Sequence, residues 1–231
     1  MTELTVGERV VLEREAFPSF LSSLQVHGYR VVGPTVRDGA IVYGEIERVD
    51  DLPIGWTDRQ EAGKYRLERR SDHALFGYAV GPHSWKRYLF PAHEHLWSAV
   101  RSGGSFTIAA EPSDGPPLAF LGVRACELAA IAIQDQVFEK AGDPTYTARR
   151  APILRIAVQC GESGGTCFCV SMGTGPAVRS SHDLALTEIL ADDRHVFLIE
   201  IGSPTGAAVL ASVPVRAATP EDARAAAAIV E

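Results

Sequence analysis

The residues best able to do chemistry are four cysteines: Cys126, Cys160, Cys167 and Cys169. The last three are spaced Cys-x6-Cys-x-Cys inside the glycine-rich run CGESGGTCFCVSMGTGP (160–176). Four thiolates are the ligand set of a [4Fe-4S] cluster or of a structural zinc. The paired Cys-x-x-Cys knuckles common in zinc sites are absent. Glycines at 161, 164, 165, 173 and 175 let backbone N–H groups approach sulfur closely, which tunes a cluster. The expected cofactor is therefore a [4Fe-4S] cluster, with zinc as the alternative. Other fates of the thiols weigh less. A lone buried cysteine acts as a small hydrophobe, but four do not cluster for that reason. A Cys167–Cys169 disulfide would close a strained ring. A catalytic thiol needs a base, and His182 is the one histidine near in sequence.

The elements that must position these thiols read as a βαβ unit. PLAFLGV (117–123) and ILRIAV (153–158) are continuous apolar runs, as in strands buried on both faces. Between them CELAAIAIQDQVFEK (126–140) is rich in helix formers, and Asp143-Pro144 breaks it. A helical crossover makes the two strands parallel. Their C-terminal ends then share one edge, where open α/β sheets bind ligands. Cys126 starts the helix on that edge, and Cys160 ends the second strand there. The glycine-rich loop leaves the same edge with Cys167 and Cys169. The four sulfurs are expected within roughly 7 Å of one another, the span of a cubane's thiolates. The helix N-terminus and Arg124 add positive charge for an anionic group.

The rest of the chain reads as mixed α and β. GERVVLE (7–13) is a strand, and Glu15 to Val26 a helix with Phe17, Phe20, Leu21 and Leu24 on one stripe. Two strands flank Arg37-Asp38-Gly39, a hairpin signal. Residues 50–74 read as loop, and AHEHLWSAVR (92–101) as a short helix after Phe90-Pro91. DLALTEI (183–189) and HVFLIEI (195–201) form a hairpin around Leu190–Arg194. ATPEDARAAAAIVE (218–231) is a helix capped by Thr219 with Pro220 in its first turn. The expected fold is α/β: a βαβ core with parallel strands, added β-hairpins and a mixed α+β periphery. One domain is expected over 1–231, divisible into an α+β part (1–115), a cluster-binding part (116–217) and a terminal helix (218–231).

Composition narrows the function. Net charge is −7, from 22 basic and 29 acidic residues, which argues against broad nucleic-acid binding. No apolar run is long enough to span a membrane. MTELTVGERVVLE lacks the basic-then-apolar order of a signal peptide, so a cytoplasmic chain is expected. His93-x-His95 fits a solvated helix better than a ligand pair. Lys86-Arg87 with Trp85 and Tyr88 fits plain surface better than a partner patch. No phosphate loop, Ser-His-Asp arrangement or carboxylate pair stands out, so no catalytic residue is assigned.

GVRACELAAIAIQDQVF (122–138), CGESGGTCFCVSMGTGP (160–176) and HDLALTEI (182–189) resemble the N-terminal region of the sulfhydrogenase beta subunit family. That group also includes a component of anaerobic sulfite reductase. EAGKYRLERR and WKRYLFPAHEHLW support the resemblance, which runs roughly from Tyr29 to Glu231. The family usually has Asp after the first cysteine; Glu127 keeps that charge here. The resemblance implies an iron–sulfur electron-transfer subunit. It would link a flavin or nicotinamide module to a nickel–iron hydrogenase or a sulfur- or sulfite-reducing partner, without bond chemistry of its own. It also implies a ferredoxin-like region following the helix at 218–231. Two rivals remain: a zinc-stabilised scaffold or interaction domain, and a thiol oxidoreductase using Cys167-Phe168-Cys169.

Overall fold

The computed structural model describes residues 4–95, 97–110, 115–179, 181–191 and 194–230. In chain order the first elements are β1 (Arg9–Glu13), α1 (Phe17–Val26), β2 (Arg30–Arg37) and β3 (Ala40–Glu45). There follow β4 (Trp56–Glu61), β5 (Lys64–Arg69), α2 (Lys86–Leu89), β6 (Trp97–Ser102) and β7 (Ser105–Ala110). Then come β8 (Leu118–Val123), α3 (Ala125–Lys140), α4 (Pro144–Arg150) and β9 (Leu154–Val158). The chain continues with β10 (Leu184–Ala191), β11 (Arg194–Ile201), α5 (Pro204–Leu210), β12 (Val215–Ala217) and α6 (Pro220–Val230).

Eight strands form one mixed sheet in the order β12-β1-β11-β10-β9-β8-β2-β3. Its middle is parallel: β2 with β8, β8 with β9, and β9 with β10. The α3–α4 crossover makes β8 and β9 parallel neighbours, as a helical connection requires. Both flanks are antiparallel. The β2–β3 turn uses Asp38 at φ 51° and Gly39 at φ 74°, the paired positive angles that match strand twist in a two-residue hairpin.

Burial alternates along the strands and sorts the helices. Phe197 and Ile199 of β11 pack with Phe17, Phe20 and Leu24 of α1 and with Val209 and Leu210 of α5. Val196 and Leu198 face the other way, against Ala226 of α6. Phe120, Val123 and Ala157 pack with Leu128 and Ile131 of α3 and Tyr146 of α4. With helices on both faces, β8 and β9 have little reason to carry polar residues. Each fully buried Leu or Phe contributes about 1.5–3 kcal/mol.

Several expectations need correction. Residues 92–95 form no helix, and Trp97–Ser102 pairs as a strand with Ser105–Ala110. A short helix there would have no buried stripe to stabilise it, whereas Gly103 at φ 62° closes a hairpin turn. Leu96 lies outside the described residues. The stretch 50–74 is not all loop: β4 and β5 pair around Ala62-Gly63, with Gly63 at φ 71°. Their apolar signal is short: Trp56, Tyr65 and Leu67 alone stand among charged and polar residues, and Trp56 and Leu67 pack against the core. Asp143-Pro144 ends one helix but opens another, because the Asp143 carboxylate accepts the N–H groups of Thr145 (3.0 Å) and Tyr146 (2.9 Å). Trp85 is not surface: it is buried, stacked on Tyr43 (3.9 Å between centroids) and Phe120 (4.5 Å). Of the β10–β11 turn, residues 192 and 193 lie outside the described residues, as does Glu231 at the end of α6. No helix among the described residues is long and apolar enough to cross a membrane.

Candidate functional site

Cys126 and Cys160 lie where the parallel strands β8 and β9 end. At Gly122 the β8–β9 register shifts, and Gly122 itself takes φ 92°. A side chain there would meet Pro34 Cδ at 3.1 Å and the Tyr78 hydroxyl at 3.4 Å. Glycine thus lets β8 bulge at its end. The chain then turns through extended Arg124 into α3, whose second residue is Cys126. Cys160 lies two residues past the end of β9. Gln159 keeps that end in the sheet by donating its N–H to Leu186 O (2.8 Å), and its side-chain oxygen receives Val178 N (2.7 Å).

The loop after Cys160 is held from outside. Arg70 donates to Glu162, to Asp72 (2.7 Å) and to Gly77 O (3.1 Å). Its guanidinium holds the Asp72 carboxyl below the usual carboxylate range. Thr166 donates to Gln60 Oε1 at 2.9 Å. A Cβ on Gly165 would collide with the carbonyl oxygen of Gln60, so the loop approaches β4 as closely as only glycine allows. The β4–β5 hairpin, read as loop from the sequence, is therefore the clamp of the cysteine loop. Asp58 and Gln60 sit on its inward edge, where Asp58 accepts Ala79 N (2.8 Å).

Inside the loop, Cys167 Sγ accepts the Gly164 N–H at 3.3 Å, and the Cys160 thiol donates to Glu162 O at 3.1 Å. A Cβ on Gly175 would stand 3.1 Å from Cys169 Sγ and 3.5 Å from Ala125 Cβ. Cys169 is thus folded back against the start of α3. All four cysteines are free thiols; Cys167 is exposed and the other three are half-buried. Burial pushes the Cys126 thiol up to about 11, and Glu127 with the thiols of Cys169, Cys160 and Cys167 adds to the rise. As the side chains stand, no group of three or more His, Cys, Asp or Glu among the described residues could hold a metal ion. His93 and His95 line a cleft with Arg30, Arg87 and Arg149 near the start of β8. The His182 ring packs against Gly202.

Arg124 and Glu127, read from the sequence as charges near the first cysteine, are both buried. Glu127 is 8% exposed; its carboxylate accepts the Arg124 N–H (2.9 Å) and the Tyr43 hydroxyl. Burial raises its pKa, and those hydrogen bonds oppose the rise. Arg124 is 2% exposed, and its Nε has no partner. Three half-buried thiols and one exposed thiol beside an incompletely partnered buried cation are chemistry that suits an anionic, thiolate-bound group. Beside it, a cavity of 430 Å³ is lined by Ala125, Leu128, Val170, Gly175 and Val178. Phe168, Val170 and Met172 expose their side chains on the loop.

No protein-family model matches the chain, and no solved structure matches it. It is 26% identical over 198 residues to the sulfhydrogenase 2 subunit beta of Pyrococcus furiosus, an alignment covering 85% of this chain and 49% of that protein. The chain spans about half the length of this curated relative, and the likeness supports a loose relationship to a hydrogenase subunit.

Proposed function

We propose that the chain is an iron–sulfur electron-transfer module in which Cys126, Cys160, Cys167 and Cys169 hold a [4Fe-4S] cluster. The observation that carries this reading is that Cys126 at the start of α3 and Cys160 just past β9 lie on one edge of the sheet, with Cys169 folded back through Gly175 against Ala125 on that edge. Bound there, the cluster would supply reversible one-electron storage. The chain's own part is to bind and shield. Cys126 is carried on a helix N-terminus that favours negative charge. The Gly164 N–H donates to Cys167 sulfur, and such bonds tune a cluster's potential. The Arg70 and Gln60 contacts hold the loop that carries three of the thiols. The relative is named as a subunit, which supports a protein partner. That partner is a hydrogenase-like or sulfur-reducing protein, or a flavin or nicotinamide module, and the exposed Phe168, Val170 and Met172 offer it an apolar approach beside the thiols. Residues 116–217 form the cluster-binding part of the chain.

The test is anaerobic reconstitution with iron and sulfide, followed by metal counting and electron paramagnetic resonance. About four irons per chain are expected, with a visible absorbance that dithionite bleaches. Stoichiometric zinc without iron would favour the scaffold reading, and a protein that takes up neither metal would favour thiol chemistry.

A further inference from the structure

Arg124 is the charge buried most directly beneath the cysteine edge. Its guanidinium donates to the carbonyl oxygens of Gln159 (2.6 Å), Phe76 (2.6 Å) and Tyr78 (2.9 Å). It also lies 4.8 Å from the centre of the Tyr78 ring. Three segments therefore meet on one side chain: the turn into α3 that carries Cys126, the end of β9 that precedes Cys160, and the strap at 76–78. That is a brace, but a brace does not need a charge. A buried cation is costly unless an opposing charge offsets the lost hydration. Among the described residues no carboxylate forms an ion pair with this guanidinium. The nearby Glu127 carboxylate is engaged by the Arg124 backbone N–H and the Tyr43 hydroxyl. The Nε of Arg124 is left without a partner. Carbonyl dipoles alone answer the charge in part.

We propose that Arg124 is a positioning residue and fixed counter-charge for the thiolate-bound cluster, tying Cys126 to Cys160 and raising the reduction potential of the group they share. This rests on the four-thiolate reading above. Reduction adds one negative charge to a group that four thiolates have already made anionic. A buried cation favours that added charge, and the low interior dielectric leaves the attraction poorly screened. Charge, hydrogen bonding and burial around a cluster are the protein's means of setting its potential.

The experiment compares the reconstituted full chain with Arg124→Gln and Arg124→Lys. Iron and sulfide content and the midpoint of a redox titration followed by electron paramagnetic resonance are the readouts. Arg124→Gln is expected to retain iron at a clearly more negative midpoint. Arg124→Lys, which keeps the charge and can donate to the same carbonyls, is expected to load fully and stay near the wild-type midpoint. An iron-loaded Arg124→Gln protein at the wild-type midpoint overturns the proposal. If Arg124→Gln gives no folded protein, Arg124→Lys decides, and a lost cluster or displaced midpoint there overturns it. A wild-type chain that takes up no iron instead overturns the four-thiolate reading itself.

Discussion

Asp222 offers a perturbation whose size and pH dependence both follow from geometry. Its side chain is 1% exposed and sits at the start of α6. It accepts Arg194 Nη2 (2.6 Å), Arg216 Nη1 (2.7 Å), Thr219 N (2.9 Å) and Thr219 Oγ1 (2.8 Å). These bonds pin the helix to β11 and β12. The far end of α6 reaches the cysteine edge, where a Cβ on Gly161 would stand 2.7 Å from Ile229 Cγ2. Asp222→Asn keeps the shape and removes the charge. Hydrogen bonds to charged groups contribute about 1.5–3 kcal/mol each. Both arginines are 41% exposed and regain water, which discounts the loss. The net cost is about 2–3 kcal/mol, or about 4–12 °C in Tm for a chain of this length. The arginines hold the Asp222 carboxyl well below the usual carboxylate range. A depressed folded-state pKa gives stability that is complete above the unfolded value, about 3.9. That stability is lost as pH falls below it towards the folded value. The wild-type advantage over Asp222→Asn should therefore hold at pH 7 and narrow below about pH 4. Urea denaturation of both proteins at pH 7 and pH 3 measures it. An equal gap at the two pH values would refute the reasoning.

Other outcomes test the site and the core. Gly165→Ala should displace the loop from Gln60 and lower iron content after reconstitution, while far-ultraviolet circular dichroism stays unchanged. Cys160→Ser and Cys169→Ser should each reduce cluster content, since a hydroxyl is a poorer iron ligand than a thiolate; full iron and an unaltered spectrum in both would remove these residues from the ligand set. Phe120→Ala removes a fully buried ring stacked on Trp85 and should cost about 3–5 kcal/mol in chemical denaturation.

The sequence by itself determined the middle of the sheet. Two apolar runs around a helix leave a parallel crossover as the stable arrangement, and the burial of Ala119–Val123 and Ile156–Val158 follows from helices on both faces. Because parallel strands end together, the same reading set Cys126 and Cys160 on one edge. Asp38-Gly39 and Thr219-Pro220 were equally legible, since turns and caps depend on local backbone chemistry. Tertiary structure decided the rest. Trp56–Glu61 and Lys64–Arg69 hold only a short apolar alternation, Tyr65 and Leu67, among charges, and the fold alone sets their contacts to a loop about a hundred residues away in sequence. Trp85 sits beside Lys86 and Arg87 in a run that resembles surface, yet the ring is buried between Tyr43 and Phe120 while its neighbours face water. Arg124 was legible as a charge but not as a buried one. Its burial is set by the carbonyls of Phe76, Tyr78 and Gln159, each contributed by a segment that only the fold brings to it. Local patterns encode periodicity and turns, whereas the desolvation of a charge depends on what packs over it.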